Sequence, residues 1–120
     1  MPYEIHPSPR DNIVVCKIID ELTYPDMMIV EPLGLDRGPR YILLDASDMS
    51  IGLPENFLEG ARHSFFVHDN MQHLALYVKS QLLGMTGQMV AKLTRRADKL
   101  SVHKTFDEAL NHLISLSDGG

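Results

Sequence analysis

Three apolar segments constrain this chain most: "IVVCKIID" (13–20), "YILLDA" (41–46) and "HLALYVK" (73–79). None alternates polar and apolar residues as a half-exposed strand would. Short, nearly unbroken runs rich in Ile, Val and Leu describe strands buried on both faces. Such strands need a covering layer on each side, and the segments between them carry helical signals. Strands alternating with helices require right-handed crossovers and a mainly parallel sheet.

The remaining elements follow from local chemistry. "YEIHP" reads as a first strand, paired in a hairpin with "IVVCKIID" across the turn residues of "SPRDN". Thr23, Pro25 and Asp26 mark a helix start, with the helix running through "MMIVEPLG" until Pro32 and Gly34 stop it, and "LDRGPR" reads as a loop. Pro54 opens a second helix, "PENFLEGARHSFF", with Phe57, Leu58, Ala61 and Phe65 on one face. In "SQLLGMTGQMVAKLTRRAD", Thr86 is a candidate helix start and Met89, Val90, Leu93 and Ala97 form the buried stripe. Gly84 and Gly87 fit either a loop or a first turn packed tightly on the sheet. "KLSVHK" is a last strand. In "TFDEALNHLISL", Thr105 and Glu108 form a capping box while Phe106, Ala109, Leu110, Leu113 and Ile114 face inward. The expectation is one α/β layered domain over residues 1–120: a mostly parallel four- to five-stranded sheet, an antiparallel N-terminal edge strand, and about four helices.

Charge and composition narrow the function. With 44% hydrophobic and 22% charged residues the chain is foldable, and its net charge of −5 argues against a nucleic-acid binder, which needs a basic face. The single cysteine, Cys16, lies inside an apolar run and reads as a buried, unreactive thiol. "MPYEIHPSPRDN" lacks a signal-peptide pattern and no apolar run is long enough to span a bilayer, so a cytoplasmic protein without a transmembrane segment is expected.

The element order, "YILLDASD" at a strand end, "HLALYVK" as the following strand and "KLSVHKTFDEALNHL" as the ending resemble the STAS domains, and more closely the SpoIIAA-like proteins. The resemblance covers nearly the whole chain. It implies a regulatory or protein-binding module that forms a homodimer and engages a regulatory protein partner. In antagonist-type STAS proteins a serine after the central strand, in the motif Asp-Ser-Ser/Thr-Gly-Leu, is phosphorylated by a partner kinase. The matching stretch here is "MSIGL" (49–53), which makes Ser50 the candidate phosphoacceptor and Ser47 a second; Met49 and Ile51 depart from the motif.

In open parallel sheets, ligands sit beyond the carboxyl ends of strands, where strand order switches. "DASDMSIGL" leaves such an end. Asp45, Asp48, Met49, Lys79, Ser80, Leu83 and Met85 are therefore the candidate ligand- or partner-binding residues. Lys79 and Ser80 could hold an anion there. Met49, Leu83 and Met85 could line an apolar pocket for a small amphipathic, lipid-like ligand. The bland alternative makes Asp45, Ser47, Asp48 and Ser50 ordinary turn and cap residues.

His63, His68 and His73 recur at intervals of five, which fits neither one helix face nor one strand face, so no metal site is expected. "KLTRRADK" could meet an anionic headgroup or an acidic partner, although cations late in a helix ordinarily complement its dipole and face water. Neither a Gly-x-Ser-x-Gly elbow nor a phosphate-binding loop is present. The reading is of a non-catalytic module without a cofactor. A carrier of an apolar or amphipathic ligand is the alternative, and a small enzyme comes last.

Overall fold

The structure is a computed structural model that describes residues 3–20, 23–49 and 57–119. The expected strands form one sheet in chain order: β1 (Tyr3–His6), β2 (Ile13–Ile18), β3 (Arg40–Asp45), β4 (Met71–Tyr77) and β5 (Leu100–His103). β1 pairs antiparallel with β2, and the β2–β3, β3–β4 and β4–β5 pairs are parallel. The order of the described strands never reverses, so they form no switch point, contrary to the expectation of one beyond β3.

Right-handed crossovers between successive neighbours place their helices on one face. That face carries α1 (Tyr24–Met27), α2 (Phe57–Arg62) and α3 (Gln81–Leu93), packed over Cys16, Ile18, Ile42, Leu74 and Leu76. The opposite face is closed by the last helix, α4 (Phe106–Gly119), whose Ala109 and Leu113 sit on Ile13, Val15, Leu43 and Ala75. The even–odd alternation of each strand sorts the two sets.

Several local expectations change. α1 ends at Met27 instead of continuing through "MMIVEPLG"; Asp26 accepts hydrogen bonds from the Thr23 backbone N–H (2.9 Å) and hydroxyl (2.7 Å), which caps the start of this single turn. Gly34 then takes a left-handed φ of 73°, and Leu35–Arg37 in the expected loop forms a 3-10 turn. Leu58 is exposed, and Phe65 lies in a separate 3-10 turn after α2 has ended. α3 starts at Gln81, capped by Ser80, so Thr86 is interior. Its buried residues are Leu83, Gly84, Val90 and Ala91; Met89 and Leu93 point to water and Ala97 lies beyond the helix. The glycines explain the rotation. A Cβ on Gly87 would stand 2.7 Å from Leu76 Cδ2, and one on Gly84 3.0 Å from Val102 Cγ1, so these two positions form the face laid against the sheet. Pro54 and Ser50 lie outside the described residues.

Cys16 is fully buried, and burial pushes its thiol up to about 12, consistent with an unreactive core residue.

Because Leu113 is fully buried where α4 packs on the sheet, Leu113→Ala is expected to cost about 3 kcal/mol in urea unfolding, the usual range for deleting a buried leucine side chain. Leu93→Ala, on the exposed side of α3, is expected to stay within about 0.5 kcal/mol.

Candidate functional site

The residues expected to share one surface divide among three environments. Asp45 ends β3 on the α4 side of the sheet and is buried; its carboxylate accepts from the Ser47 backbone N–H (3.0 Å) and hydroxyl (2.6 Å). This is an Asx turn, in which a short acidic side chain satisfies backbone just ahead of it. Ser47 is thus held by a carboxylate, and the other candidate phosphoacceptor, Ser50, lies outside the described residues. Asp48 pairs with Lys17 of β2 at 2.9 Å; the hydrogen bond and charge raise the lysine pKa and lower that of the aspartate.

Met49 and Leu83 face the other way. They help line an apolar cavity of about 100 Å³ between α2, α3 and the sheet, together with Ala61, Phe65, Leu76 and Val90. Among the described lining residues, Thr86 carries the one hydroxyl, and it donates to the Leu82 carbonyl at 2.9 Å. Met85 is not in this cavity, contrary to expectation. One helical position turns it outward, where it borders an open groove of about 660 Å³ with Lys79, Ser80, Gln88 and Lys104.

The histidines of "HSFFVHDNMQH" do not converge. His63 lies 3.4 Å from Glu59, and His68 Nδ1 accepts from the Asn70 N–H at 3.0 Å. Among the described residues no group of three or more His, Cys, Asp or Glu is arranged to hold a metal ion. "KLTRRADK" is less free than a solvated face: Arg96 donates to the Val67 carbonyl (3.1 Å) and Lys99 to that of Met71 (3.4 Å).

One constellation was missed in the sequence. His73 Nε2 lies 2.9 Å from Ser101 Oγ, Ser101 Oγ 2.7 Å from His103 Nε2, and His103 Nδ1 2.9 Å from Glu108 Oε1. The His112 ring stands 5.2 Å from that of His73 and 5.1 Å from that of His103. β4 and β5 bring this set together beneath the flank of α4. Period-two alternation already placed Ser101 and His103 on one strand face. The signal was masked because Glu108 fits a capping box; in the fold the Glu108 N–H does bond Thr105 Oγ1 (3.1 Å), but its carboxylate goes to His103.

No protein-family model matches the chain, and no curated protein matches it. Among solved structures it is similar to the crystal structure of an uncharacterised protein from the DUF3478 family with a SpoIIAA-like fold, from Shewanella loihica PV-4. The match covers 92% of this chain and 91% of that one, with a TM-score of 0.65 and 18% identity. The chain therefore has a SpoIIAA-like fold, and at that identity the likeness extends to the fold alone.

Burial, and then the neighbouring His112, lower the His73 pKa to about 4, against a smaller opposing pull from Asp98. A base held below its unfolded value of about 6.5 contributes stability that is present above that pH and lost as pH falls toward the folded value. Acidification from pH 7 to pH 4 is expected to remove roughly 2–3 kcal/mol through this residue. In His73→Gln the dependence of urea-unfolding stability on pH should flatten by about one proton across that window.

Proposed function

We propose that this chain is a binding module that seats the apolar part of a small amphipathic ligand between α2, α3 and the sheet. The observation that carries this reading is the cavity of about 100 Å³, lined almost wholly by apolar side chains and bordered by Met49 and Leu83. Dry apolar cavities of about 150 Å³ take up benzene, so this one suits roughly four carbon atoms, such as the end of a short acyl chain. A flat surface would have favoured the protein-binding reading; a hole favours the carrier. The described lining residues include no ionisable group, which supports binding over chemistry at this place.

Titration with butyrate, hexanoate and decanoate, followed by thermal unfolding and by the methyl NMR signals of Leu83 and Val90, is the test. At least one chain length should raise the melting temperature and shift those methyls. Ala61→Leu, which puts an isobutyl group into the space, should remove the response. If none of the acids moves either signal, the reading fails.

A second observation supports a membrane-surface reading for the same helix. Leu82 (56% exposed), Met85 (58%), Met89 and Leu93 form an outward apolar stripe on α3. Residues 79–97 hold Lys79, Lys92, Arg95 and Arg96 but no Asp or Glu, in a chain of net charge −5. An amphipathic helix of this kind lies in the surface of an anionic bilayer. Sedimentation with phosphatidylserine vesicles should pellet the protein at low salt and less at moderate salt, with Met89→Glu lowering the bound fraction several-fold. Absence of pelleting at low salt removes this reading.

A further inference from the structure

We propose that Ser101 is an activated serine that accepts an acyl group from small activated esters or thioesters, with His103 as its general base and Glu108 as the residue that positions the base. This site lies on the α4 face of the sheet, across β4 and β5 from the apolar cavity, and stands independently of that cavity's ligand.

The geometry has the ordered contacts that nucleophilic serine chemistry requires: nucleophile to base at 2.7 Å, and base to an orienting carboxylate at 2.9 Å. The ionised Glu108 carboxylate accepts from His103 Nδ1–H, which leaves the Nε2 lone pair facing Ser101. The hydroxyl has one hydrogen and two imidazole nitrogens beside it. In the arrangement proposed it donates to His103, with the His73 imidazole beside the same oxygen at 2.9 Å. Burial lowers the His73 pKa to about 4, so that ring is neutral at pH 7.

Access and rigidity are divided between the two ends of the chain of bonds. The His103 imidazole is 7% exposed and fixed, whereas the Glu108 side chain is 60% exposed. Ser101 is only half-buried, and β5 is the last strand of the sheet. β5 is an edge strand, so an electrophile reaching the hydroxyl would approach past its unpaired edge. A purely structural cluster needs its donors and acceptors satisfied, but it does not require a carboxylate, an imidazole and a hydroxyl joined in this order.

In the step proposed, Ser101 Oγ bonds the carbonyl carbon of the ester while its proton passes to His103 Nε2. The carbonyl electron pair moves to oxygen and returns to expel the alkoxide or thiolate, which takes the proton from His103. The result is an O-acyl serine and a free alcohol or thiol. Water, deprotonated by the same imidazole, then releases the carboxylic acid and restores the hydroxyl.

The experiment is reaction of the full chain with a fluorophosphonate and, separately, with p-nitrophenyl acetate, with the modified residue located by peptide mass spectrometry. Ser101 should carry the adduct. Ser101→Ala should lose it, and His103→Gln should slow it at least tenfold with an unchanged circular dichroism spectrum. Glu108→Gln, at an exposed position, covers the case in which His103→Gln does not fold. It should slow labelling severalfold and lower kcat for p-nitrophenyl acetate with KM unchanged, and Glu108→Asp should recover part of that rate. A merely structural Glu108 would leave kcat in place. Absence of an adduct on Ser101, or equal labelling rates in the wild-type chain and Glu108→Gln, would overturn the proposal.

Discussion

The architecture depends on one constraint: four parallel strands follow each other in chain order, and every crossover turns the same way. With no reversal in the strand order, α1, α2 and α3 all land on one face of the sheet. Among the described residues a single further helix, α4, covers the other face. The length of α4, its capped start at Thr105 and its continuous inner row from Phe106 through Leu113 are what that duty requires.

The two faces therefore solve opposite packing problems. One carries three helices, and the fit between them is uneven. Gly84 and Gly87 let α3 sink against β4 and β5, to the point where a single added carbon would meet Leu76 or Val102. On the other flank, Phe65 and Phe66 follow α2 as bulky spacers. The apolar cavity lies between the close approach and the wide one. The other face has a single helix for a five-stranded sheet, and its flank over β4 and β5 is filled by imidazole and hydroxyl groups. Polar side chains can occupy that flank only because each is hydrogen-bonded there; among the described residues no buried side-chain polar atom is left without a partner.

Legibility in the sequence followed the same physics. The buried strands were readable because burial on both faces leaves an unbroken apolar run, and β2, β3 and β4 are parallel neighbours as that pattern implies. α4 was readable because it has one wet side and one dry side. α3 was misread by one face. Methionine and leucine are apolar wherever they stand, and the positions that meet the sheet are glycines, which carry no hydrophobic signal. α1 was overextended because the Thr23–Asp26 cap is the same whether one turn follows or three. Of the residues grouped as following strand carboxyl ends, Met49 and Leu83 line one apolar cavity, while Asp45 lies on the α4 side of the sheet and Met85 borders the outer groove.

The segment after β3 shows how this division arises. Asp45, Ala46 and Ser47 are consecutive, yet the strand's pleat sends Asp45 toward α4 and Ala46 into the apolar cavity. An acidic residue at the end of a buried strand needs donors at once, and the Ser47 N–H and hydroxyl both donate to Asp45 Oδ1 within two residues. Lys17 takes up the next acid, Asp48, from the neighbouring strand. With both carboxylates engaged locally, the polar part of "DASD" serves as the join that ends the strand. The cavity is bordered instead by the apolar residues on either side of it, Leu44 and Ala46 before and Met49 after.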